Sequence, residues 1–291
     1  MRLVLRSACL CLTALFGWSC SSTEITNQFD DERAPSLTPL WELSGPFTSP
    51  ESAIYDQRRN VVYVSNVAGY TENGLGYLSS VSLQGELTAE RWLEGVNAPT
   101  GMAINGDTLY VADFNRLVEI DIPSASIRHT YGVDEQNPGL NDVTISPSGN
   151  VFVSASAISA IYRLNDGQLE LWAQSDELQY ANGLFADEKY LYVAGFYLRR
   201  IDFAVGGIST FGDDKLLVDL ESIEGDGAGG FFVTMIGDKP IMHVTAEGEV
   251  SELLVRDKFT ADMDFIAEQK LLLAPSGGDV ISAFAVELGE H

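Results

Sequence analysis

The segment Thr100-Gly-Met-Ala-Ile-Asn-Gly-Asp-Thr-Leu-Tyr-Val111 contains a polar residue, a short apolar run, a turn and a second apolar run. The same pattern recurs about every forty residues, a typical blade length. It begins at five further leading residues: Glu51, Asn141, Asn182, Glu221 and Asp262. Regular repeats of this kind are typical of propeller blades, each of which is a four-stranded sheet. The six repeats therefore predict an all-β fold, a six-bladed β-propeller.

Further apolar runs within each repeat supply the remaining strands of the blade. In the third repeat they cover residues 160–164 and 169–172, and an Asn-Asp-Gly turn joins them. The last repeat ends after its third strand, at residues 280–286. We expect residues 40–43 to supply the missing strand, because pairing the two ends of the chain closes the ring and leaves no open sheet edge.

The first residues have the character of an export signal. Arg2 and Arg6 give a positive start, and the apolar run over residues 7–17 is too short to span a bilayer. Small residues at positions 17 and 19 suit cleavage just before Cys20. This pattern resembles the lipobox of bacterial lipoproteins, which implies that Cys20 is acylated. Ordinary secretion with the same cleavage point is the alternative.

These features divide the chain into three parts. We expect a lipoprotein-type export signal at residues 1–19, a polar flexible tether at 20–38 and the propeller at 39–291. The protein is then expected in the bacterial cell envelope, either in the periplasm or as a lipoprotein anchored to the outer membrane.

The positions of the cysteines and the net charge limit which partners the protein could bind. The three cysteines are Cys9, Cys11 and Cys20, so the propeller itself has none to oxidise. The formal net charge is −25, and basic clusters are absent from the sequence. Nucleic acid is therefore excluded as a partner, and an anionic lipid surface would repel the chain. Membrane attachment is expected through a lipid on Cys20 instead.

The six leading residues are expected to converge at one end of the central channel, and we call them the channel ring: Glu51, Thr100, Asn141, Asn182, Glu221 and Asp262. All but Thr100 carry a carboxylate or amide oxygen. Hard cations prefer several such oxygen ligands, and this mixture suits Ca²⁺ better than Zn²⁺. A hydrated polar channel lining without a metal is the alternative.

Residues 40 to 288 resemble the gluconolactonase, senescence marker protein (regucalcin) and luciferin-regenerating enzyme-like propellers, which are related to the paraoxonases. The resemblance is carried by four short motifs: Ser-Pro50-Glu51, Leu140-Asn141-Asp142, Asn182-Gly183-Leu184, and Glu221 before Asp226-Gly227. It implies one catalytic divalent metal held by four residues: Glu51, Asn141, Asn182 and Glu221.

Three positions depart from the family pattern. Glu221 stands where the family normally has an aspartate that also acts as the base. Gly139 occupies the place of an arginine found in the sugar-acid lactonases, and Thr100 the place of a catalytic histidine found in the paraoxonases. Neither of those specialised substrate assignments therefore transfers to this chain.

Lactone or ester hydrolysis is the reaction class that the resemblance implies, with a small-molecule substrate. The metal would polarise the carbonyl, and Glu221 or Asp262 would deprotonate the attacking water. The competing hypothesis is a propeller that binds or docks a partner without catalysis, since a fold does not by itself specify a function.

Other motifs are interpreted as structural or left open. The three histidines, His129, His243 and His291, fall outside the channel ring and are interpreted as surface residues. The glycine-rich residues 225–230 are interpreted as a turn between strands. Five aromatic residues are placed after second strands, where they either shape a pocket or have no ligand. They are Tyr70, Tyr77, Phe114, Phe196 and Tyr197.

Overall fold

The computed structural model describes residues 35–254 and 258–288. These residues form six four-stranded antiparallel sheets, the blades of a propeller, which confirms the predicted fold class. The predicted export signal, Cys20 and most of the predicted tether lie outside the described residues. Among the residues that are described, no helix has the length and apolar character needed to cross a bilayer.

The strands follow the repeats. The first strand, β1 (Ser36–Ser44), belongs to the last blade. Blade 1 consists of β2 (Pro50–Asp56), β3 (Val61–Asn66), β4 (Gly76–Val81) and β5 (Leu87–Val96). Blade 2 consists of β6 (Pro99–Asn105), β7 (Thr108–Asp113), β8 (Arg116–Asp121) and β9 (Ser126–Gly132). Blade 3 consists of β10 (Leu140–Ile145), β11 (Val151–Ala155), β12 (Ala160–Asn165) and β13 (Gln168–Gln174).

Blades 4, 5 and 6 complete the propeller. Blade 4 consists of β14 (Leu184–Ala186), β15 (Tyr190–Val193), β16 (Arg199–Asp202) and β17 (Ile208–Thr210). Blade 5 consists of β18 (Leu220–Gly225), β19 (Phe231–Met235), β20 (Ile241–Val244) and β21 (Val250–Leu254). Blade 6 consists of β22 (Asp264–Ile266), β23 (Leu271–Ser276), β24 (Val280–Glu287) and β1. Short 3₁₀ turns occur at Ser156–Ile158, Asp176–Leu178 and Ala267–Gln269.

Burial explains why the second strand of each repeat is a continuous apolar run. Every residue of β11 and β19 is buried, whereas the outer strand β9 is almost entirely exposed. Neighbouring blades cover both faces of the second strand, so both faces need apolar side chains. Leu78 of blade 1 and Leu109 of blade 2, for example, belong to one buried cluster between these blades.

Strand β1 joins the two ends of the described chain. It pairs antiparallel with β24, with Trp41 opposite Ala283 and Leu43 opposite Ile281. The strand begins at Ser36, so it includes residues 36–38, which the sequence analysis assigned to the tether. The reason is that Leu37 is buried in the cluster that contains Val286, a contact that composition does not reveal.

Candidate functional site

The channel ring coincides with irregularities in the inner strands. In blades 1, 2, 3 and 5, two consecutive residues of the inner strand stand opposite a single residue of the second strand, which is a β-bulge. The bulged pairs begin at the ring positions: Glu51, Thr100, Asn141 and Glu221. Bulges redirect side chains and are frequent beside active sites. The remaining ring residues, Asn182 and Asp262, precede the first residues of β14 and β22.

Contacts between blades bring four ring residues together. Asn182 Nδ2 donates to Glu221 Oε2 over 3.0 Å, which links blades 4 and 5. The backbone N–H of Asp262 donates to the carbonyl of Glu51 over 2.8 Å, which links blades 6 and 1. Glu221 and Asp262 both contribute, after burial, to the raised pKa of Glu51. The predicted convergence of these four residues at the channel is therefore what the fold produces.

Asp262 is held on both sides by serine hydroxyls. Ser52 Oγ donates to Asp262 Oδ2 over 2.7 Å, and Ser222 Oγ donates to Asp262 Oδ1 over 2.9 Å. Each serine directly follows a ring glutamate, in blade 1 and blade 5 respectively. Both carboxylate oxygens of Asp262 are thus used to tie its blade to its two neighbours.

The carboxylates of the ring disfavour one another's ionisation. Burial, followed by repulsion from Glu221, Asp262 and Asp142, raises the pKa of Glu51 well above its usual value. Burial and repulsion from Asp262 raise the pKa of Glu221 to about 7, although the hydrogen bond from Asn182 acts to lower it. Burial raises the pKa of Asp262 to about 6, although the serine hydrogen bonds oppose the shift. Such a cluster favours a cation that would offset the repulsion.

The other two ring residues are placed differently. Thr100 is buried, and its Oγ1 donates to the Ala112 carbonyl of its own blade over 3.3 Å. Asn141 is half-buried, and together with Thr100 it lines a depression at the channel mouth. Asn141 is thus positioned at the ring by its bulge, and its role as a ligand stays a prediction.

Three further carboxylates line the channel, and the sequence analysis gave none of them a role. They are Asp142, Glu224 and Asp264, which bound a cavity of about 220 Å³. Asp142 accepts hydrogen bonds from the backbone N–H groups of Val143 and Leu184, both at 2.6 Å. Burial is the largest cause of a raised pKa in all three. A signal was available, because each lies one to three residues after a ring residue.

One carboxylate oxygen tests whether the ring fits a divalent cation. Glu51 Oε2 is buried and has no hydrogen-bond partner. A buried anionic oxygen without a partner is energetically unfavourable, and a bound cation would supply the missing interaction. The described residues contain no cluster of three or more His, Cys, Asp or Glu side chains arranged to hold a metal. The expected ligand set is of another composition, two carboxylates at Glu51 and Glu221 and two amides at Asn141 and Asn182.

The predicted aromatic residues separate into different environments. Tyr70 and Phe114 line the depression beside Thr100 and Asn141. Tyr77 lies within β4 rather than after a second strand; its ring is buried and its hydroxyl donates to the Pro46 carbonyl over 2.8 Å. Its placement in a loop after a second strand was therefore wrong, and of the two alternatives the one without a ligand fits Tyr77.

The other aromatic residues lie in the same part of blade 4. Phe196 and Tyr197 contact each other, with ring centroids 4.7 Å apart. Phe196 also neighbours Tyr180, with ring centroids 6.4 Å apart. Tyr180 lines the depression and was missed by the sequence analysis, because it lies in a loop with no repeat signature.

The glycine-rich stretch is the turn that the sequence analysis predicted. The backbone N–H of Asp226 donates to the Gly230 carbonyl, and the Asp226 side chain accepts from the N–H groups of Ala228 and Gly230. His243 Nε2 lies 2.8 Å from Asp226 Oδ2 in hydrogen-bond contact. His243 is buried, so its assignment to the surface was wrong: it secures the turn. His129 lies in the exposed strand β9, and His291 is outside the described residues.

Solved structures with the same architecture identify the fold. A gluconolactonase from Xanthomonas campestris superimposes with a TM-score of 0.69 at 13% identity, covering 88% of this chain and 97% of that one. A structural-genomics gluconolactonase target gives 0.68 at 19% identity, covering 89% and 97%. This chain has a gluconolactonase-like propeller fold. Virginiamycin B lyase from Staphylococcus aureus gives 0.62 at 13% identity, covering 86% and 99%. No protein-family model and no curated protein sequence matches the chain.

Proposed function

We propose that this gluconolactonase-like propeller is a divalent-metal-dependent hydrolase of lactones or esters. It is exported to the bacterial cell envelope and attached to the membrane by a lipid on Cys20. The observation that carries the metal proposal is the buried, unpartnered Oε2 of Glu51 beside Glu221 and Asp262. The gluconolactonase neighbours support the reaction class and a small-molecule substrate.

The proposed ligand set is the one that the family resemblance implies. Glu51 and Glu221 would contribute carboxylate oxygens, and Asn141 and Asn182 would contribute amide oxygens. The hydrogen bond to Glu221 uses the amide nitrogen of Asn182, which leaves its Oδ1 as the ligand atom. Oxygen donors of this kind favour Ca²⁺. A cation bound there would polarise the substrate carbonyl and stabilise the oxyanion that develops during attack.

The hydrogen bonds of the two candidate bases favour Glu221 over Asp262. Both oxygens of Asp262 accept serine hydroxyls, so Asp262 is suited to holding blades 1, 5 and 6 in place. Glu221 accepts from Asn182 through Oε2 only, and its second oxygen is available to take a proton from water. We therefore assign proton abstraction to Glu221 and a positioning role to Asp262.

The lyase neighbours offer a second reaction class, which the histidines of this chain disfavour. A histidine-to-alanine variant of the staphylococcal virginiamycin B lyase is catalytically inactive. Here His129 lies on an outer strand and His243 is bonded to Asp226, so no histidine of the described residues is placed at the channel ring. Hydrolysis with a carboxylate base is the better match to these residues.

The experiment is a panel of lactones and aryl esters, assayed by proton release with the full chain after chelator treatment and after Ca²⁺ addition. We expect hydrolysis that Ca²⁺ restores, and Glu51→Gln should lose that response. Glu268→Gln is the matched control, since Glu268 is exposed on a 3₁₀ turn. Metal binding without turnover of any member of the panel would favour the competing hypothesis, a binding or scaffold propeller.

A further inference from the structure

The depression beside the channel ring has a distinct chemical character. It has a volume of about 330 Å³, and we call it the apolar pocket. Its wall is formed mainly by five residues: Tyr70, Phe114, Leu140, Ala157 and Tyr180. No charged side chain lines it. Pockets of this size suit small organic ligands, and their lining determines which substituents they favour.

Two hydroxyl groups in the wall, those of Ser156 and Thr100, are already engaged with the protein backbone. Ser156 Oγ donates to the Ala181 carbonyl over 2.6 Å, and Thr100 Oγ1 donates to the Ala112 carbonyl. A substrate rich in hydroxyl groups would lose hydrogen bonds to water here and gain few in return. An alkyl group would instead exchange water for carbon contacts.

Gly139 prevents a longer side chain from entering the wall. Its φ is +63°, and a Cβ at this position would lie 3.3 Å from Ala157 Cβ. Any other residue would be strained both by its backbone conformation and by this contact. At this point the wall therefore consists of the Gly139 backbone and the Ala157 methyl group. It has no room for a side chain that would bind a charged substrate.

Two aromatic residues adopt an unfavourable backbone conformation at the pocket. Phe114 has φ +63° and Tyr180 has φ +56°, and they are the only aromatic residues with positive φ in the described parts of the chain. Bulky residues rarely adopt this conformation, which costs of order 1 kcal/mol or more. Tyr180 is nonetheless 55% exposed, so burial of its own ring does not offset that cost.

Tyr70 connects the apolar pocket to the channel ring. It lines the pocket together with the ring residues Thr100 and Asn141, and it is 64% exposed. A substrate carbonyl at the ring would therefore place its substituent against Tyr70 and the pocket wall.

We propose that the apolar pocket binds the alkyl chain of a lactone or ester, and so selects alkyl-substituted lactones over polyhydroxylated sugar lactones. The selectivity rests on the proposed hydrolase function, whereas the binding preference of the pocket does not. Each methylene that enters the pocket should strengthen binding about fourfold, the value expected for burying one methylene group.

The test uses the full chain with Ca²⁺ and a series of γ-lactones whose alkyl chain grows one carbon at a time, with D-glucono-δ-lactone as the polar comparison. We expect kcat/KM to rise with chain length and then level off when the pocket is full. Ala157→Phe, which fills the pocket, and Tyr180→Ala, which opens it, should both flatten this dependence. Leu216→Ala, at an exposed position elsewhere, should leave it unchanged.

A parallel series of γ-alkyl lactams, measured by calorimetry, separates the two claims because binding is read without turnover. Lactam affinity that rises with chain length while no lactone is hydrolysed would support the pocket and reject the hydrolase. Lactone hydrolysis that is independent of chain length, or that favours the glucono-lactone, would overturn the alkyl-chain proposal and leave the hydrolase standing.

Discussion

Asn182 Nδ2 donates a hydrogen bond to Glu221 Oε2 across the boundary between blades 4 and 5, at 3.0 Å. The contact joins residues 39 positions apart, at corresponding places in consecutive repeats. In the proposed function, this contact leaves Asn182 Oδ1 for a cation and the second oxygen of Glu221 for a proton.

The division of roles between Glu221 and Asp262 can be tested by isosteric replacement. Glu221→Gln should lower kcat at saturating Ca²⁺ by about a hundredfold or more, the usual effect of removing a general base. Asp262→Asn should lower it by less than about tenfold, because an amide can still bond both serine hydroxyls. Steady-state lactone kinetics measure both, with Ca²⁺ binding checked for each variant. A larger loss in Asp262→Asn than in Glu221→Gln would reverse the assignment.

The Asp226–His243 contact predicts a specific acid dependence of stability. Burial opposes ionisation of Asp226, but the hydrogen bonds from His243, Ala228 and Gly230 outweigh it and lower the pKa. Because the folded-state pKa is depressed, the stabilisation is complete above the unfolded-state pKa of about 4 and is lost as pH falls through the folded-state value.

Asp226→Asn should therefore destabilise the fold at pH 7 by about 2 kcal/mol, the scale of a hydrogen bond to a charged group. The difference from wild type should shrink below about pH 4. Urea unfolding at a series of pH values measures it, with Asp166→Asn in an exposed hairpin turn as the control. A difference that stays constant down to pH 2 would show that ionised Asp226 is not the cause.

Strand β1 is predicted to contribute to the stability of the whole propeller. Deleting residues 1–44 removes Leu37, Trp41 and Leu43 from the core and leaves one edge of β24 without a partner strand. The loss should be at least about 3 kcal/mol, since each buried apolar side chain contributes about 1.5–3 kcal/mol. Deletion of residues 1–34 is the control, because it spares β1. Equal urea midpoints for the two deletions would contradict a stabilising role of β1.

Anchoring through Cys20 gives a prediction that is independent of the fold. Cys20→Ser should move the protein from the membrane fraction to the soluble fraction, since anionic lipid repels a chain with a formal net charge of −25. Cell fractionation and the intact mass of the wild-type protein provide the measurement. A wild-type protein that is already soluble and carries no lipid mass would leave ordinary secretion as the explanation.

The architecture could be predicted from the sequence because the repeat places equivalent residues at equivalent points of each blade. Because of this repeat, Glu51 and Glu221 lie at one site although they are far apart in the chain. The β-bulges at these two residues could not be predicted, because a bulge depends on which residues pair across two strands. Tyr180 was missed for a related reason: its place in the apolar pocket depends on a loop conformation with φ +56°.

The residue at which the propeller begins could not be predicted from the sequence pattern either. Residues 36–38 look polar and tether-like apart from Leu37, and only the pairing of β1 with β24 shows that Leu37 is buried. Burial in a propeller is created by neighbouring blades, so a single strand does not reveal it.

The proposed hydrolysis requires that the channel ring bind a divalent cation. The most direct test is the melting temperature of the chelator-treated full chain as Ca²⁺ is added, compared with Asn182→Ala and with Asn150→Ala, whose residue lies in an exposed turn. Wild type and Asn150→Ala should gain stability with rising Ca²⁺, by about 2.7 kcal/mol at a hundredfold excess over Kd, and Asn182→Ala should stay folded and show no gain. A wild-type melting temperature that responds to neither chelator nor Ca²⁺ would contradict the claim.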